Sequence, residues 1–223
     1  MRDGDGDVVQ QRYYVDAEGL AIDGEDVYVS FEREHRIEQH RLEDLPQSAP
    51  QREVPQPIPL YEFRNNRGLE ALSVAPSGTP LDGALVAVSE KSLDRKGDIF
   101  AAIVTGPKKG VFFVRRHAPF DVTDGDFLPN GDLLLLERRF SLAEGVGMRI
   151  RRIAAADIKP GATVDGDILI EADLGHQIDN MESLDVFEAG DGSTHILLAS
   201  DDNHSLLQRS LLLEFKLPGL DTN

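Results

Sequence analysis

A carboxylate followed by a small residue opens four apolar segments: Glu18-Gly19-Leu20-Ala21-Ile22, Glu70-Ala71-Leu72-Ser73-Val74, Asp124-Gly125-Asp126-Phe127-Leu128 and Glu182-Ser183-Leu184-Asp185-Val186. The intervals are 52, 54 and 58 residues. A packing repeat needs apolar residues in phase, not acids, so a carboxylate held in phase speaks of chemistry as well as fold. A second acidic set ends the strand that follows each start: Glu32-Arg33, Glu90-Lys91, Glu137-Arg138 and Asp201-Asp202-Asn203. An antiparallel hairpin sets the start of one strand beside the end of the next. Both sets therefore belong to one end of each unit, with Asp16, Asp121 and Asp179-Asn180 close by.

Crowding eight acids has a cost. Two carboxylates about 6 Å apart at an effective dielectric near 20 repel by about 3 kcal/mol, so they must protonate, pair with neighbouring Arg and Lys, or bind a cation. Oxygen donors without Cys suit a hard ion, and Ca²⁺ accepts irregular geometry better than Mg²⁺. The competing arrangement pairs Glu32 with Arg33 or Arg36, and Glu137 with Arg138 or Arg139, as salt bridges needing no ligand. The small residues Gly19, Ala71, Gly125 and Ser183 read as relief of crowding.

Other reactive side chains fit no catalytic pattern. His35, His40, His117, His176, His195 and His204 contain no i, i+4 pair and read as structural. Ser30, Ser89 and Ser200 lie outside any G-x-S-x-G elbow, so an α/β-type serine hydrolase is unsupported. Arg115-Arg116 and Arg149 to Arg152 are short basic clusters, half of whose members alternation assigns to a solvated face.

The elements that must position the acids are strands. In the third unit, Asp126 to Leu128 reaches the hairpin turn Pro129-Asn130-Gly131-Asp132 and returns through Leu133-Leu134-Leu135-Leu136, apolar throughout as in a strand buried on both faces. Met148 to Ile153 alternates with period two, and Asp167 to Ala172 supplies a fourth strand. The first unit repeats this with Val27 to Phe31, Arg36 to Leu42 and Ile58 to Phe63, and the second with Leu85 to Val88, Asp98 to Val104 and Val111 to Arg115. In the last unit Ile196 to Ala199 and Leu211 to Leu217 end the series without a fourth strand. Four-stranded units in radial array describe an all-β fold, a β-propeller of four-stranded blades, whose first strands line a central channel.

Composition fits that picture. The chain has 223 residues, no cysteine, and 40 Asp plus Glu against 23 Lys plus Arg, for a formal charge of −17. Such a charge disfavours nucleic acid and anionic membranes as partners, and disulfides and thiolate metal sites are excluded. Residues 1–15 form a polar start without the apolar core of a signal peptide, residues 16–217 a single propeller domain and residues 218–223 a tail.

In Asn66-Arg67-Gly68-Leu69-Glu70-Ala71-Leu72, Gly131 to Arg138, Ile178-Asp179-Asn180-Met181-Glu182-Ser183-Leu184, and Ser200-Asp201-Asp202-Asn203 with Gln208-Arg209, the chain closely resembles the phytase-like domain family, described as having esterase-like activity of phytase. The resemblance runs from about Asp16 to Leu217. It implies a β-propeller of bacterial proteins exported to the periplasm or beyond, linked to phosphate-ester hydrolysis. Relatives carry at least one more blade-like segment upstream, which implies a complete ring of five or six blades. An incomplete ring would close with fewer blades or form an oligomer. Calcium-dependent propeller phytases set Lys and Arg among dense acidic runs, whereas here the basic complement is thin.

The expected function is metal-assisted hydrolysis of a small-molecule ester or phosphate ester. Ca²⁺ is expected at Glu70, Glu182, Asp201, Asp202 and Asp179, with Glu18, Glu137 and Glu182 as catalytic carboxylates and Arg33, Arg138, Asn180 and Asn203 contacting substrate. A binding or scaffold propeller with a structural cation, and a gluconolactonase-like lactone hydrolase, are the alternatives.

Overall fold

The computed structural model describes residues 16–45, 49–63, 68–141 and 145–218. The expected N-terminal segment 1–15, most of the tail, and Asn66 and Arg67 lie outside these. Four antiparallel units follow one another. The first contains β1 (Ala17–Asp23), β2 (Asp26–Phe31), β3 (Arg36–Arg41) and β4 (Arg52–Glu53), and the second β5 (Leu69–Val74), β6 (Leu85–Leu93), β7 (Ile99–Ile103) and β8 (Gly110–Val114). The third contains β9 (Asp121–Phe127), β10 (Leu133–Ser141) and β11 (Gly145–Ile153). Its loop holds the short β12 (Thr163–Val164) before the outer strand β13 (Asp167–Asp173). The fourth has three strands, β14 (Met181–Glu188), β15 (Thr194–Ser200) and β16 (Leu212–Leu217). This is a four-bladed propeller arrangement, as the strand pattern predicts.

Burial between blades holds it together. Ala21 and Ile37 of blade one pack on Leu72, Leu85 and Phe100 of blade two, whose other face sets Val86, Ile103 and Phe112 against Val122, Leu133 and Leu135 of blade three. Leu134, Leu136 and Ile150 then meet Met181, Leu184 and Ile196 of blade four. The all-apolar run of β10 faces two such cores, so Leu133 to Leu136 are at most 1% exposed. At roughly 1.5–3 kcal/mol for each fully buried large apolar side chain, these three interfaces are the main source of stability.

Two parts differ from the sequence expectation. Ile58 to Phe63 is not the fourth strand of blade one; β4 is, pairing Gln39 with Arg52 and Glu38 with Glu53. Pro55, Pro57 and Pro59 lack the N–H a ladder needs, so the segment runs as coil with a short 3₁₀ turn at Leu60–Glu62, and Ile58 and Phe63 plug the core between blades one and two. Additionally, β12 leaves the loop of blade three and adds in parallel to β8, with Thr163 opposite Phe113 and Val164 opposite Val114.

Where neighbouring inner strands approach each other, no room is left for a side chain. A Cβ on Gly19 would lie 2.6 Å from the Glu70 carbonyl oxygen, and one on Gly125 2.6 Å from that of Leu134. Gly125→Ala is therefore expected to lower stability by about 1–3 kcal/mol, read from thermal unfolding. Inside blade three, fully buried Glu137 accepts from Arg149 Nε at 2.5 Å and from Arg151 Nη2 at 2.5 Å. Glu137→Leu should cost about 3–5 kcal/mol, because it leaves the fully buried Arg151 without that partner; denaturant titration reads the change.

Candidate functional site

The inner strand of every blade carries a register shift at the same level. In β5 it falls at Glu70, between the pairs Leu69–Ser89 and Ala71–Val88; in β14 it falls at Glu182, between Met181–Ser200 and Ser183–Ala199. In β1 it lies between Ala17 and Leu20, around Glu18. In β9 the extra residue is Thr123, between Val122 opposite Glu137 and Asp124 opposite Leu136. A bulge inserts one residue against a partner strand and re-aims its side chain, and here it delivers Glu18, Glu70, Thr123 and Glu182 to one mouth of the channel.

The third repeat is thus offset by one from the sequence alignment. Its equivalent of Glu70 is Thr123, and Asp124 stands one residue deeper. The second-strand ends shift in the same way. The N–H groups of Glu32, Glu90 and Asp201 bond the carbonyls of Asp16, Gly68 and Asn180, and the residue holding that place in β10 is Arg138, opposite Asp121. Instead of eight acids, the mouth gathers six carboxyl groups, Glu18, Glu32, Glu70, Glu90, Glu182 and Asp201, with Thr123, Arg138 and Asn203, around a cavity of about 380 Å³.

Burial governs the electrostatics. Glu70, largely enclosed, is pushed up to about 9, first by loss of water and then by the charges of Glu18, Glu90, Glu32 and Glu182. Glu18 keeps an exposed side chain, yet the surrounding blades displace enough water to push it up to about 7, helped by Glu32, Asp16, Glu182 and Glu90. Glu182 is also raised by burial, against the opposing pull of Arg138 at 3.4 Å and the Asn180 amide, which donates to it at 2.6 Å. Arg138 in turn donates to Asn180 Oδ1. Asp16, Glu18 and Glu32 each present a carboxylate oxygen within 4.8 Å of the others. Oxygens at roughly 2.3–2.6 Å from Ca²⁺ lie up to about 5 Å apart, so the spacing and the all-oxygen donor set fit a hard divalent ion.

Several predicted residues stand elsewhere. Glu137 lies in the interior of blade three on Arg149 and Arg151, so it is no candidate for the base. Asp179 is buried and accepts from the Asn180 and Arg209 N–H groups, bracing a loop. Asp202 accepts from His204 N–H and Ser210 Oγ in the turn after β15. Neither lines the mouth. Arg33 donates to Asp16 at 2.8 Å, while Asn180 is 1% exposed and acts by orienting Glu182 and Arg138.

Deeper in the channel, Asp124 and Asp126 accept from the Leu184 and Val186 N–H groups of the next inner strand, at 2.8 and 2.9 Å. Burial pushes Asp124 up to about 7 and raises Asp126. The Asp121-Val122-Thr123-Asp124-Gly125-Asp126 run hid this role by offering acids in two registers. A Ser–His–Glu array also escaped sequence reading: Ser193 Oγ lies 2.8 Å from His195 Nε2, and His195 Nδ1 2.6 Å from Glu214. Ser193 is only 2% exposed and its hydroxyl is also held by Asp191 at 2.5 Å, so the array braces the β14–β15 turn and offers no accessible nucleophile.

Similarity to known proteins agrees with this architecture. Among solved structures, the chain is similar to an exo-β-1,3-galactanase from Phanerochaete chrysosporium (TM-score 0.55, 14% identity, covering 99% of this chain and 50% of that one). It is also similar to a xylan β-1,4-xylosidase from Bacillus halodurans C-125 (TM-score 0.54, 15% identity, 95% and 44%). An endo-arabinase from Bacteroides thetaiotaomicron matches with TM-score 0.50 and 14% identity, over 93% and 82%. At these identities the likeness is one of fold, and the chain spans about half the length of the first two. Comparison with curated protein sequences gave no match. The family model for phytase-like proteins, described as esterase-like activity of phytase, matches residues 1–204. With that match over most of its length and a propeller whose inner strands all shift at one level, the chain belongs to the phytase-like family.

Proposed function

We propose that the acidic mouth holds Ca²⁺ and hydrolyses an ester beside it. The observation that carries this reading is the convergence of six carboxyl groups from three blades on one cavity, with Asp16, Glu18 and Glu32 at the spacing of ligands to a single ion. Asp16, Glu18 and Glu32 are the ligands proposed, and Glu70, which lines the same cavity, is proposed to complete the set. A divalent ion there supplies Lewis-acid polarisation of an ester oxygen.

The chain supplies the rest. Glu182 is the general base: it lines the cavity, and the Asn180 amide and Arg138 hold it in one orientation. Among the described residues that line the cavity, Arg138 is the one basic side chain and, with Thr123, marks the blade-three side as the place for developing negative charge. The phytase-like family match supports hydrolase chemistry; of the five Ca²⁺ ligands expected from the sequence, Glu70, Glu182 and Asp201 line this mouth, whereas Asp179 and Asp202 do not.

Four outcomes test the reading. Calorimetry on chelator-stripped protein should show Ca²⁺ binding that is lost in Glu18→Gln/Glu32→Gln; no binding to the parent chain would remove the proposal. Affinity should climb as pH rises from about 6 to 9, because Glu18 and Glu70, raised to about 7 and about 9, must release protons to bind metal. In the same chelated protein, groups whose folded pKa is raised stabilise at low pH and lose that contribution as pH passes their folded values. The melting temperature should therefore fall between about pH 4.5 and 9, and Ca²⁺ should restore it most at the alkaline end. Finally, Glu182→Gln should reduce kcat on any ester found to be a substrate by about 10²–10⁴-fold, with Ca²⁺ binding kept; full retained turnover would place the base elsewhere.

A further inference from the structure

Among the described residues, no core cluster joins blade one to blade four as clusters join the other neighbours. Between them runs a cleft of about 250 Å³, lined by Leu20 of β1 and by Leu184, Leu197, Ala199 and Leu212 of blade four. It opens from the acidic mouth, because Glu18 and Ser183 line both spaces. Leu20 and Leu212 are 58% and 68% exposed, although one sits on an inner strand and the other on the last strand of a sheet. Asp124 and Asp185 stand where the cleft meets the channel.

Charge decides what this joined space accepts. A phosphate monoester dianion entering the mouth meets, among the described residues, six carboxyl groups against one guanidinium, an excess of negative charge that one bound Ca²⁺ reduces without reversing, in a chain of net charge −17. A neutral ester meets no such barrier, and its apolar part has a surface ready beside the carboxylates. Resting on the proposed esterase reading of this mouth, we infer that the substrates are neutral carboxyl esters whose apolar acyl group lies in the cleft between blades one and four, with the ester carbonyl at Glu18 and Ser183. A dry cavity of about 150 Å³ accommodates benzene, so this cleft suits an acyl chain of roughly six to eight carbons. In the reaction, the oxygen of water bonds to the acyl carbon as one of its protons passes to Glu182. The bond from acyl carbon to alcohol oxygen then breaks, and the proton returns to that oxygen, giving carboxylic acid and alcohol.

The test uses the full chain with Ca²⁺ and p-nitrophenyl esters from acetate to decanoate, beside p-nitrophenyl phosphate. Expected is a kcat/KM at least tenfold higher for hexanoyl or octanoyl than for acetyl, with the phosphate at least a hundredfold slower than the best ester. Leu212→Asp, and separately Leu20→Asp, should lower the octanoyl-to-acetyl ratio at least tenfold. A flat chain-length profile, or the phosphate as the better substrate, overturns the inference. Octanamide, which keeps the acyl chain without a labile ester, is titrated by calorimetry in parallel. Its binding, at least tenfold weaker in Leu212→Asp, supports the acyl site even if no ester is turned over, and then only the hydrolytic reading of the mouth falls. Failure of octanamide to bind overturns the acyl site whatever the turnover, including the case in which light scattering shows a second copy covering the cleft.

Discussion

Each inner strand of this propeller turns one edge of its backbone toward the axis, and the polar groups on that edge have to be paired. Ser30 Oγ donates to the Leu69 carbonyl and Thr123 Oγ1 to that of Met181, while Asp124 and Asp126 take the N–H groups of Leu184 and Val186. A short side chain on one blade thus serves the backbone of the next. That arrangement requires close approach, which only a residue such as Gly19 or Gly125 permits. Close approach in turn sets the width of the channel and the spacing of everything at its mouth.

The mouth inherits its electrostatics from that spacing. Three blades each send two carboxyl groups inward, and the low water content that raises Glu18 and Glu70 is a product of the same packing. Blade three departs, with Thr123 and Arg138 where its neighbours carry acids. The cavity is therefore polarised, negative on three sides and positive on one. Glu137, the acid whose place at a strand end assigned it to the mouth, is turned into the sheet, where Arg149 and Arg151 neutralise it.

Much of this was legible in the residues. The Leu133 to Leu136 run and the Asn130-Gly131 turn announce a strand buried on both faces and its hairpin, and the recurring acids announce stacked units with a common polar end. What spacing alone does not reveal is a one-residue offset. The run from Asp121 to Asp126 holds acids at several phases, and Glu137-Arg138 offers either sign, so the register had to come from ladder pairing. Proline misled in another way: Ile58 to Phe63 has the apolar content of a strand, but its role is to fill a core from a coil. Ligand spacing, such as that of Asp16, Glu18 and Glu32, arises from loops and a bulge whose geometry no periodicity encodes.

The pairing of β12 with β8 has a temporal side. On a ribosome the strands of blade two emerge together, yet the partner for the outer edge of β8 comes only with Thr163 and Val164, after most of blade three has been made. The nascent blade two therefore waits with an open edge until this strand arrives and ties it to blade three. Blade four is added last, packing Met181, Leu184 and Ile196 on the Leu134, Leu136 and Ile150 face of a blade that is already tied to its predecessor.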